Sequence, residues 1–311
     1  MRPVEFDSGG VTCRGVHVAG TGESFARAGR RPCVVLAHGF GATVDSGLMP
    51  FAERFAEAGL DALAFDYRHF GDSDGEPRQL LSIKRQLADY AAAVACARTL
   101  DGVDPERIVL WGSSYSGGHV VAAAVADGRV AAVVSQVPAM DGLATTLNLL
   151  RYAGPGALAR LTLLGLRDAL GALLGRAPVT AAVVGPPGAV AAMTSPDAEP
   201  GMRAIAGPTW RNEVAARIAL GAAAYRPGLQ AERLPCPMLV QIADRDAVAP
   251  PQAAQDAAFR ATGRAEVRTY PIGHFEVYAG EPFERAIADQ LHFLRRHLRA
   301  RGAQPAVAHA A

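Results

Sequence analysis

Cysteine is scarce in this sequence, and its four cysteines stand far apart, at Cys13, Cys33, Cys96 and Cys236. No two of them have the Cys-x-x-Cys spacing that zinc sites and redox-active disulfides use. Disulfide scaffolds are typical of small secreted domains, whereas this chain has 311 residues. We therefore expect free thiols in a reducing compartment, the cytoplasm, and no structural metal.

An excess of charge of one sign is also missing. The chain has 31 Lys and Arg residues against 30 Asp and Glu residues, a net charge of +1 at pH 7. Without a basic run or a basic patch in the sequence, nucleic-acid binding has no electrostatic support. We therefore expect no nucleic-acid partner.

Long uninterrupted apolar runs are absent too. Residues 161–174 are broken by Arg167 and Asp168, and residues 215–224 are too few to cross a bilayer. The first ten residues carry Glu5 and Asp7 and lack the apolar core of a secretory signal. We expect no membrane span and a cytoplasmic protein.

The chain does contain a regular alternation of short apolar runs and helix-like segments. Most of the runs are continuously apolar, which is typical of parallel strands covered by helices on both faces. Residues 267–270 alternate instead, which favours a strand near the sheet edge. The pattern predicts an α/β protein with a mostly parallel sheet of about eight strands. The predicted strands are 3–6, 11–18, 33–37, 62–66, 107–110, 131–136, 238–243 and 267–271, and the predicted helices are 48–58, 79–100, 119–127, 251–261 and 282–298.

The alternation is interrupted between residues 139 and 231, which divides the chain. We expect residues 1–138 and 232–299 to form one core, 139–231 to form a helical cap inserted into it, and 300–311 to be a disordered tail. The cap is predicted to cover the carboxyl edge of the sheet, where ligands of open α/β sheets bind. Within it we predict helices over 147–152, 157–174 and 210–225, and irregular chain over the Pro- and Gly-rich stretch 178–208.

One segment combines a strand, a tight turn and a helix around a serine. Residues 108–118, Ile-Val-Leu-Trp-Gly-Ser-Ser-Tyr-Ser-Gly-Gly, join an apolar run to the helix-like residues 119–127. A serine at such a turn is held on a strained backbone with its hydroxyl exposed, and small flanking residues leave room for the turn. The pattern favours Ser114 as a nucleophile over its neighbours Ser113 and Ser116.

A serine hydroxyl needs a general base within hydrogen-bond reach and a third group to orient that base. His274 follows a predicted strand and can approach Ser114 at the sheet edge, and the pKa of an imidazole suits a base near neutral pH. Asp246, in the loop after the 238–243 strand, is the favoured orienting acid. Asp244 and Asp141 are the alternatives.

Backbone amides are needed to stabilise the oxyanion that forms during attack. Residues 38–41, His-Gly-Phe-Gly, directly follow the 33–37 strand and can direct the Phe40 amide towards Ser114. The second donor is the amide of Tyr115, the residue after the serine. The sequence thus predicts an oxyanion hole made by the N–H groups of Phe40 and Tyr115.

Taken together these motifs resemble the α/β-hydrolase fold. The markers are the His-Gly-Phe-Gly turn at His38, the Asp-Tyr-Arg-x-Phe-Gly-x-Ser loop at Asp66, the turn at Ser114, and the loops at Asp246 and His274. The chain order Ser, Asp, His is that of the family. Within it the chain is similar to capped bacterial esterases and thioesterase-like proteins, including polyketide-associated acyl hydrolases and transferases.

Two positions depart from the family pattern. His69 stands where glycine is common in the Asp66 loop, which leaves open whether its imidazole reaches the pocket. Ser116 replaces the second glycine of the serine turn, and a serine is small enough to keep it.

The leading hypothesis is a serine hydrolase that cleaves a carboxylic ester or thioester through an acyl-enzyme, without metal or organic cofactor. Its partner is a small-molecule substrate with an apolar portion that fits under the apolar cap. The alternatives are an acyltransferase that passes the acyl group to an alcohol or amine, a C–C hydrolase or peptidase with the same residues, and a non-catalytic ligand-binding module. The sequence leaves the oligomeric state open, a homo-oligomer included.

Overall fold

A central sheet of eight strands organises the molecule. The computed structural model describes residues 1–298, so the tail predicted to be disordered lies outside the described residues. The strands are β1 (Arg2–Asp7), β2 (Thr12–Val18), β3 (Arg31–Ala37), β4 (Asp61–Phe65), β5 (Val103–Ser113), β6 (Ala132–Gln136), β7 (Thr180–Val184), β8 (Ala191–Met193), β9 (Val214–Ala215), β10 (Met238–Ala243) and β11 (Ala265–Tyr270). Strands β7 to β9 form a separate small sheet.

The strand order in the large sheet is β1-β2-β4-β3-β5-β6-β10-β11. The β1–β2 hairpin joins the sheet antiparallel to β4, and all pairs from β4 to β11 are parallel. The prediction of a mostly parallel sheet of about eight strands is confirmed, and the alternating strand β11 lies at its edge.

Helices cover both faces of this sheet. The helices are α1 (Met49–Glu57), α2 (Ile83–Thr99), α3 (Tyr115–Asp127), α4 (Gly142–Leu173), α5 (Ala198–Ile205), α6 (Pro251–Arg260) and α7 (Gly280–Leu298). The continuously apolar sequence of β3 is explained by its contacts with helices on both faces of the sheet. Val34 and Leu36 pack among side chains of α1 and α7, whereas Cys33 and Val35 pack among those of α2, α3 and α6. Successive side chains of a strand point to opposite faces, so both sets must be apolar.

The segment between β6 and β10 is less helical than the sequence predicts. The stretch 178–208 was expected to be irregular, but it contains β7, β8 and α5. Residues 210–225 were expected to form a helix, but they form β9 and two short 3₁₀ turns, Ala216–Leu220 and Ala222–Ala224. The amides of Ala215 and Ala216 donate to the carbonyls of Gln79 and Val179, so tertiary partners replace the helical ones.

The long helix α4 is bent where its sequence predicts a break. Gly154 has a φ of 78° immediately before Pro155, and this joins two helices with different axes.

None of the helices within residues 1–298 is both long and apolar enough to span a bilayer. The four cysteines are free thiols, three of them buried and Cys96 half-buried.

Candidate active site

Ser114 lies at the sharp turn between β5 and α3. Its backbone has a φ of 59° and a ψ of −119°, a strained conformation for a residue with a side chain. A side chain at Gly112 would collide with the Ser116 carbonyl, and one at Gly117 would approach Pro138 to 2.8 Å. The small residues of the motif are therefore needed for the turn to pack between neighbouring elements.

A chain of hydrogen bonds links Ser114, His274 and Asp246. The Ser114 Oγ is 3.0 Å from His274 Nε2, and His274 Nδ1 is 2.6 Å from Asp246 Oδ2. A carboxylate accepts only, so His274 donates through Nδ1–H and accepts the serine proton at Nε2. The side chains of His274 and Asp246 are each only 2% exposed. The structure therefore brings together the three residues that the sequence had placed in separate loops.

The loop after β10 holds the Asp246 carboxylate in place. Its Oδ1 accepts the backbone N–H groups of Val248 and Ala249 at 2.8 and 2.7 Å, which leaves Oδ2 for the imidazole. Two hydrogen bonds to one oxygen fix the rotamer of the carboxylate. The loop that holds the Asp246 carboxylate therefore also fixes the orientation of the His274 ring.

The two alternative acids have other contacts. Asp244 has a side chain that is 47% exposed, with Arg245 at 4.0 Å. Asp141 caps the amino terminus of α4, and its other oxygen lies 2.7 Å from Arg226. In the described part of the chain neither carboxylate hydrogen-bonds to His274, so the geometry favours Asp246.

The two neighbouring serines are buried and have no histidine partner among residues 1–298. Ser116 Oγ lies between the phenol oxygens of Tyr67 and Tyr90, at 3.1 and 2.7 Å. Ser113 Oγ lies 2.6 Å from the Tyr278 hydroxyl and accepts from Gln136 at 3.2 Å. Both hydroxyls are therefore part of internal networks, and only that of Ser114 contacts a base.

The turn formed by residues 38–41 lies against Ser114. A Cβ at Gly39 would lie 3.0 Å from the Ser114 Cβ, and one at Gly41, where φ is 65°, would lie 2.8 Å from Val183 of β7. Within residues 1–298 the backbone N–H groups of Phe40 and Tyr115 donate to no protein oxygen. Both amides are therefore free to donate to an oxygen bound beside Ser114.

Two buried groups brace this turn. Burial lowers the pKa of His38 to about 4, so its ring is neutral and Nδ1 donates to the Gly39 carbonyl at 3.0 Å. Asp66 accepts the Val44 amide at 2.7 Å and the Asp72 amide at 3.1 Å, and burial raises its pKa to about 7. The Asp66 loop is thus hydrogen-bonded to the chain that follows the turn beside Ser114.

The position of His69 answers the question that the sequence left open. Its ring is buried, and its Nε2 accepts from Arg85 at 2.8 Å. His69 does not line either pocket next to Ser114. Its imidazole therefore does not reach the site.

A large apolar pocket opens on one side of Ser114, lined mostly by residues of the segment between β6 and β10. It contains about 940 Å³ of empty space, including the part open to solvent. Among residues 1–298 no charged side chain lines it. Its walls are mainly small and aliphatic residues, among them Leu149, Leu158, Leu161 and Ile218, together with the ring of Phe40. Such a pocket excludes charged groups and takes an apolar one.

A smaller pocket of about 340 Å³ lies on the other side of Ser114. It is lined by His274 and Tyr278 from the loop after β11 and by Met202 and Ile205 from α5. His274 lines only this smaller pocket of the two. Ser114 therefore stands between two spaces that differ in size and in their access to the imidazole.

Sequence reasoning missed Tyr278, Tyr225 and the partners of His119. Tyr278 follows His274 by four residues, a spacing that alone carries no chemistry. Tyr225 comes from the segment between β6 and β10, and its hydroxyl lies 2.7 Å from His119 Nδ1 of α3, where we expected only packing against the sheet.

Among the described residues no group of three or more His, Cys, Asp or Glu side chains is placed to hold a metal ion.

Comparison with known proteins gives the family. The model of the serine aminopeptidase S33 family matches residues 28–278. The quorum-quenching protein AidA of Acinetobacter baumannii is 43% identical over 295 residues, covering 94% of each chain. The thiohydrolase aneE of Aspergillus aculeatus is 41% identical over 110 residues, 35% of each chain.

Solved structures share the fold. The α/β-hydrolase GrgF from Penicillium sp. sh18 superimposes with a TM-score of 0.79 at 24% identity, over 96% of this chain and 98% of its own. The resemblance to the α/β-hydrolase fold that the motifs indicated is confirmed. This protein belongs to the serine aminopeptidase S33 family of α/β-hydrolases.

Proposed function

We propose that the protein is a serine hydrolase that cleaves a carboxylic ester or thioester through an acyl-enzyme on Ser114. The observation that carries the proposal is the pair of hydrogen bonds at His274, 3.0 Å to Ser114 and 2.6 Å to Asp246. A nucleophile, a base and an orienting acid in contact are the groups that acyl transfer requires.

The proposed reaction uses each of these groups in turn. As Ser114 Oγ attacks the carbonyl carbon, its proton passes to His274 Nε2, and Asp246 stabilises the imidazolium that forms. The free amides of Phe40 and Tyr115 hold the oxyanion, each stabilising the transition state by roughly 3 kcal/mol. His274 then gives its proton to the leaving alcohol or thiol, and water activated by the same base releases the acid.

The two pockets support a placement for each half of the substrate. The leaving group must lie within reach of His274, because that residue protonates it. The smaller pocket is lined by His274 and the larger one is not. We therefore place the leaving group in the smaller pocket and the acyl portion in the larger one.

The lining of the pockets supports an uncharged acyl substrate. Although the family description names an aminopeptidase, no Asp or Glu of the described part of the chain lines either pocket to bind a protonated amino terminus. The name of the relative aneE, a thiohydrolase, supports a thioester among the substrates. The size of the larger pocket supports an acyl chain or ring system rather than an acetyl group.

A fluorophosphonate probe tests the proposal directly. We expect it to label the wild type, and Ser114→Ala to abolish labelling and to lower kcat on aryl esters and thioesters on the order of 10⁶-fold. Ser116→Ala is the matched control, and we expect it to keep labelling because its hydroxyl is buried between two tyrosines. An unlabelled wild type, or labelling that survives Ser114→Ala, would contradict the proposal.

Product analysis separates hydrolysis from acyl transfer. The main product should be the free acid. Transfer of the acyl group to an added alcohol or amine should be no faster than its transfer to water. Faster transfer to one acceptor than to water would instead make the protein an acyltransferase with the same acyl-enzyme.

A further inference from the structure

One wall of the larger pocket carries polar groups in an otherwise apolar lining. Of the hydroxyl-bearing residues in the lining, Thr145 and Thr146 are not available to a ligand as donors. Their hydroxyls donate to backbone carbonyls one turn earlier in the helix, at 3.0 and 2.7 Å. Apart from Ser114, the hydroxyls that remain are those of Tyr115 and Tyr225, whose rings lie 5.7 Å apart. These two tyrosines define the polar wall.

A buried chain of hydrogen bonds fixes the polarity of the Tyr225 hydroxyl. His119 is completely buried, and its Nε2 lies 3.0 Å from Gln86 Oε1, an atom that only accepts. The Nε2 therefore carries the hydrogen. Burial lowers the pKa of His119 to about 3, so the ring is neutral and its Nδ1 accepts. The Tyr225 hydroxyl, 2.7 Å away, must donate to it. Tyr225 can then only accept from a ligand.

The Tyr115 hydroxyl, in contrast, is free to donate a hydrogen bond to a ligand. Its oxygen is buried and has no hydrogen-bond partner among the described residues. Buried polar groups almost always have partners, so an unpaired hydroxyl beside a pocket is a donor available to a ligand. Phenylalanine would supply the same ring without this unpaired group.

We propose that Tyr225 and Tyr115 form a polar subsite that recognises a hydroxyl substituent on the acyl portion of the substrate. The inference rests on the proposed function, which places the acyl portion in the larger pocket. A hydroxyl donates its hydrogen to the Tyr225 oxygen and accepts from Tyr115. A keto group only accepts and uses Tyr115 alone, and a methylene group uses neither.

The test is a set of methyl octanoates that carry CH₂, CHOH in either configuration, or C=O at carbon 3, 4 or 5, with hydrolysis followed by pH-stat. At one position we expect kcat/KM for the hydroxyl ester to exceed that for the methylene ester about 3- to 10-fold, the effect of one or two neutral hydrogen bonds. Tyr225→Phe should lower the hydroxyl-to-methylene ratio to about the keto-to-methylene ratio, and it should leave the keto-to-methylene ratio unchanged, because the bond from Tyr115 remains. Tyr115→Phe should lower both ratios. Tyr152→Phe, a cap tyrosine outside both pockets, is the control and should change neither.

Two results overturn the subsite: no hydroxyl advantage at any position in the wild type, or an unchanged hydroxyl-to-methylene ratio in Tyr225→Phe. If Tyr225→Phe does not fold, Tyr115→Phe decides, and an unchanged ratio there overturns it as well. Failure of the proposed function gives a different result, because the methylene ester would then not be hydrolysed, or would be hydrolysed equally by Ser114→Ala.

Discussion

The hydroxyls of Ser113 and Tyr278 lie 2.6 Å apart, and this contact joins the two turns that carry Ser114 and His274. Ser113 directly precedes the proposed nucleophile, and Tyr278 ends the short 3₁₀ turn that follows His274. Ser113 is buried and Tyr278 is half-buried, and desolvation raises the pKa of the Tyr278 hydroxyl to about 12. The contact is a second connection between these two turns, besides the hydrogen bond of Ser114 to His274.

We expect loss of this contact to lower kcat more than it changes KM. Ser113→Ala removes a hydroxyl that touches neither pocket, so a fall in kcat of about 3- to 10-fold, the effect of one hydrogen bond, would report misalignment of Ser114 and His274. Tyr278→Phe should give a similar fall, and the double variant should be no worse than either single one. Steady-state kinetics on one aryl ester measure this. An unchanged kcat in Ser113→Ala would show that the contact is not needed for alignment.

The Asp246 carboxylate can be tested by a change that keeps its shape. In Asp246→Asn, Oδ1 still accepts the amides of Val248 and Ala249, so the amide nitrogen faces His274 Nδ1 and donates to it. The imidazole then adopts the wrong tautomer, and we expect kcat to fall about 10³- to 10⁴-fold with the fold unchanged. Asp244→Asn is the matched control and should retain activity. Comparable activity in Asp246→Asn and the wild type would move the acid role elsewhere.

The core was predictable because its strands are buried on both faces. A short continuous apolar run such as that of β3 indicates a strand of a parallel sheet covered by helices on both faces. The loops that follow the carboxyl ends of such strands lie at one edge of the sheet. Ser114, Asp246 and His274 could therefore be placed near each other from the sequence, although not their distances.

The cap was less predictable because its structure depends on distant partners. Residues 210–225 are rich in alanine, which favours a helix, yet Ala215 and Ala216 bond to Gln79 and Val179. The contact of Tyr225 with His119 likewise joins residues 106 positions apart. No local pattern indicates such contacts.

The length of the acyl chain should respond to the volume of the larger pocket. Ala219 lines this pocket, and Ala219→Trp would fill part of it. We expect kcat/KM for decanoyl esters to fall at least about 10-fold while butyryl esters are retained, since a large side chain displaces the distal carbons. Ala224→Trp, at an exposed position outside the pocket, is the control. An unchanged chain-length profile in Ala219→Trp would place the acyl portion elsewhere.

Stability should fall in acid because His119 is buried as a neutral ring. Burial lowers its pKa to about 3, whereas in the unfolded chain an imidazole takes up a proton near pH 6.5. Between these values the unfolded state binds more protons, so the free energy of unfolding decreases as the pH falls from about 6.5 towards 3. One such group contributes a slope of at most about 1.4 kcal/mol per pH unit.

His119→Gln removes this term and isolates it from other titrating groups. At pH 7.5 we expect the variant to be less stable than the wild type, because it loses the bonds to Tyr225 and Gln86. Below pH 6.5 the gap should narrow, by up to about 1.4 kcal/mol per pH unit. Urea denaturation at pH 7.5, 6.5, 5.5 and 4.5 measures the gap, with His292→Gln on the exposed face of α7 as the control. A gap that stays constant across these four pH values would mean that His119 takes up its proton in the folded state, and that the Tyr225 hydroxyl is not held as a donor.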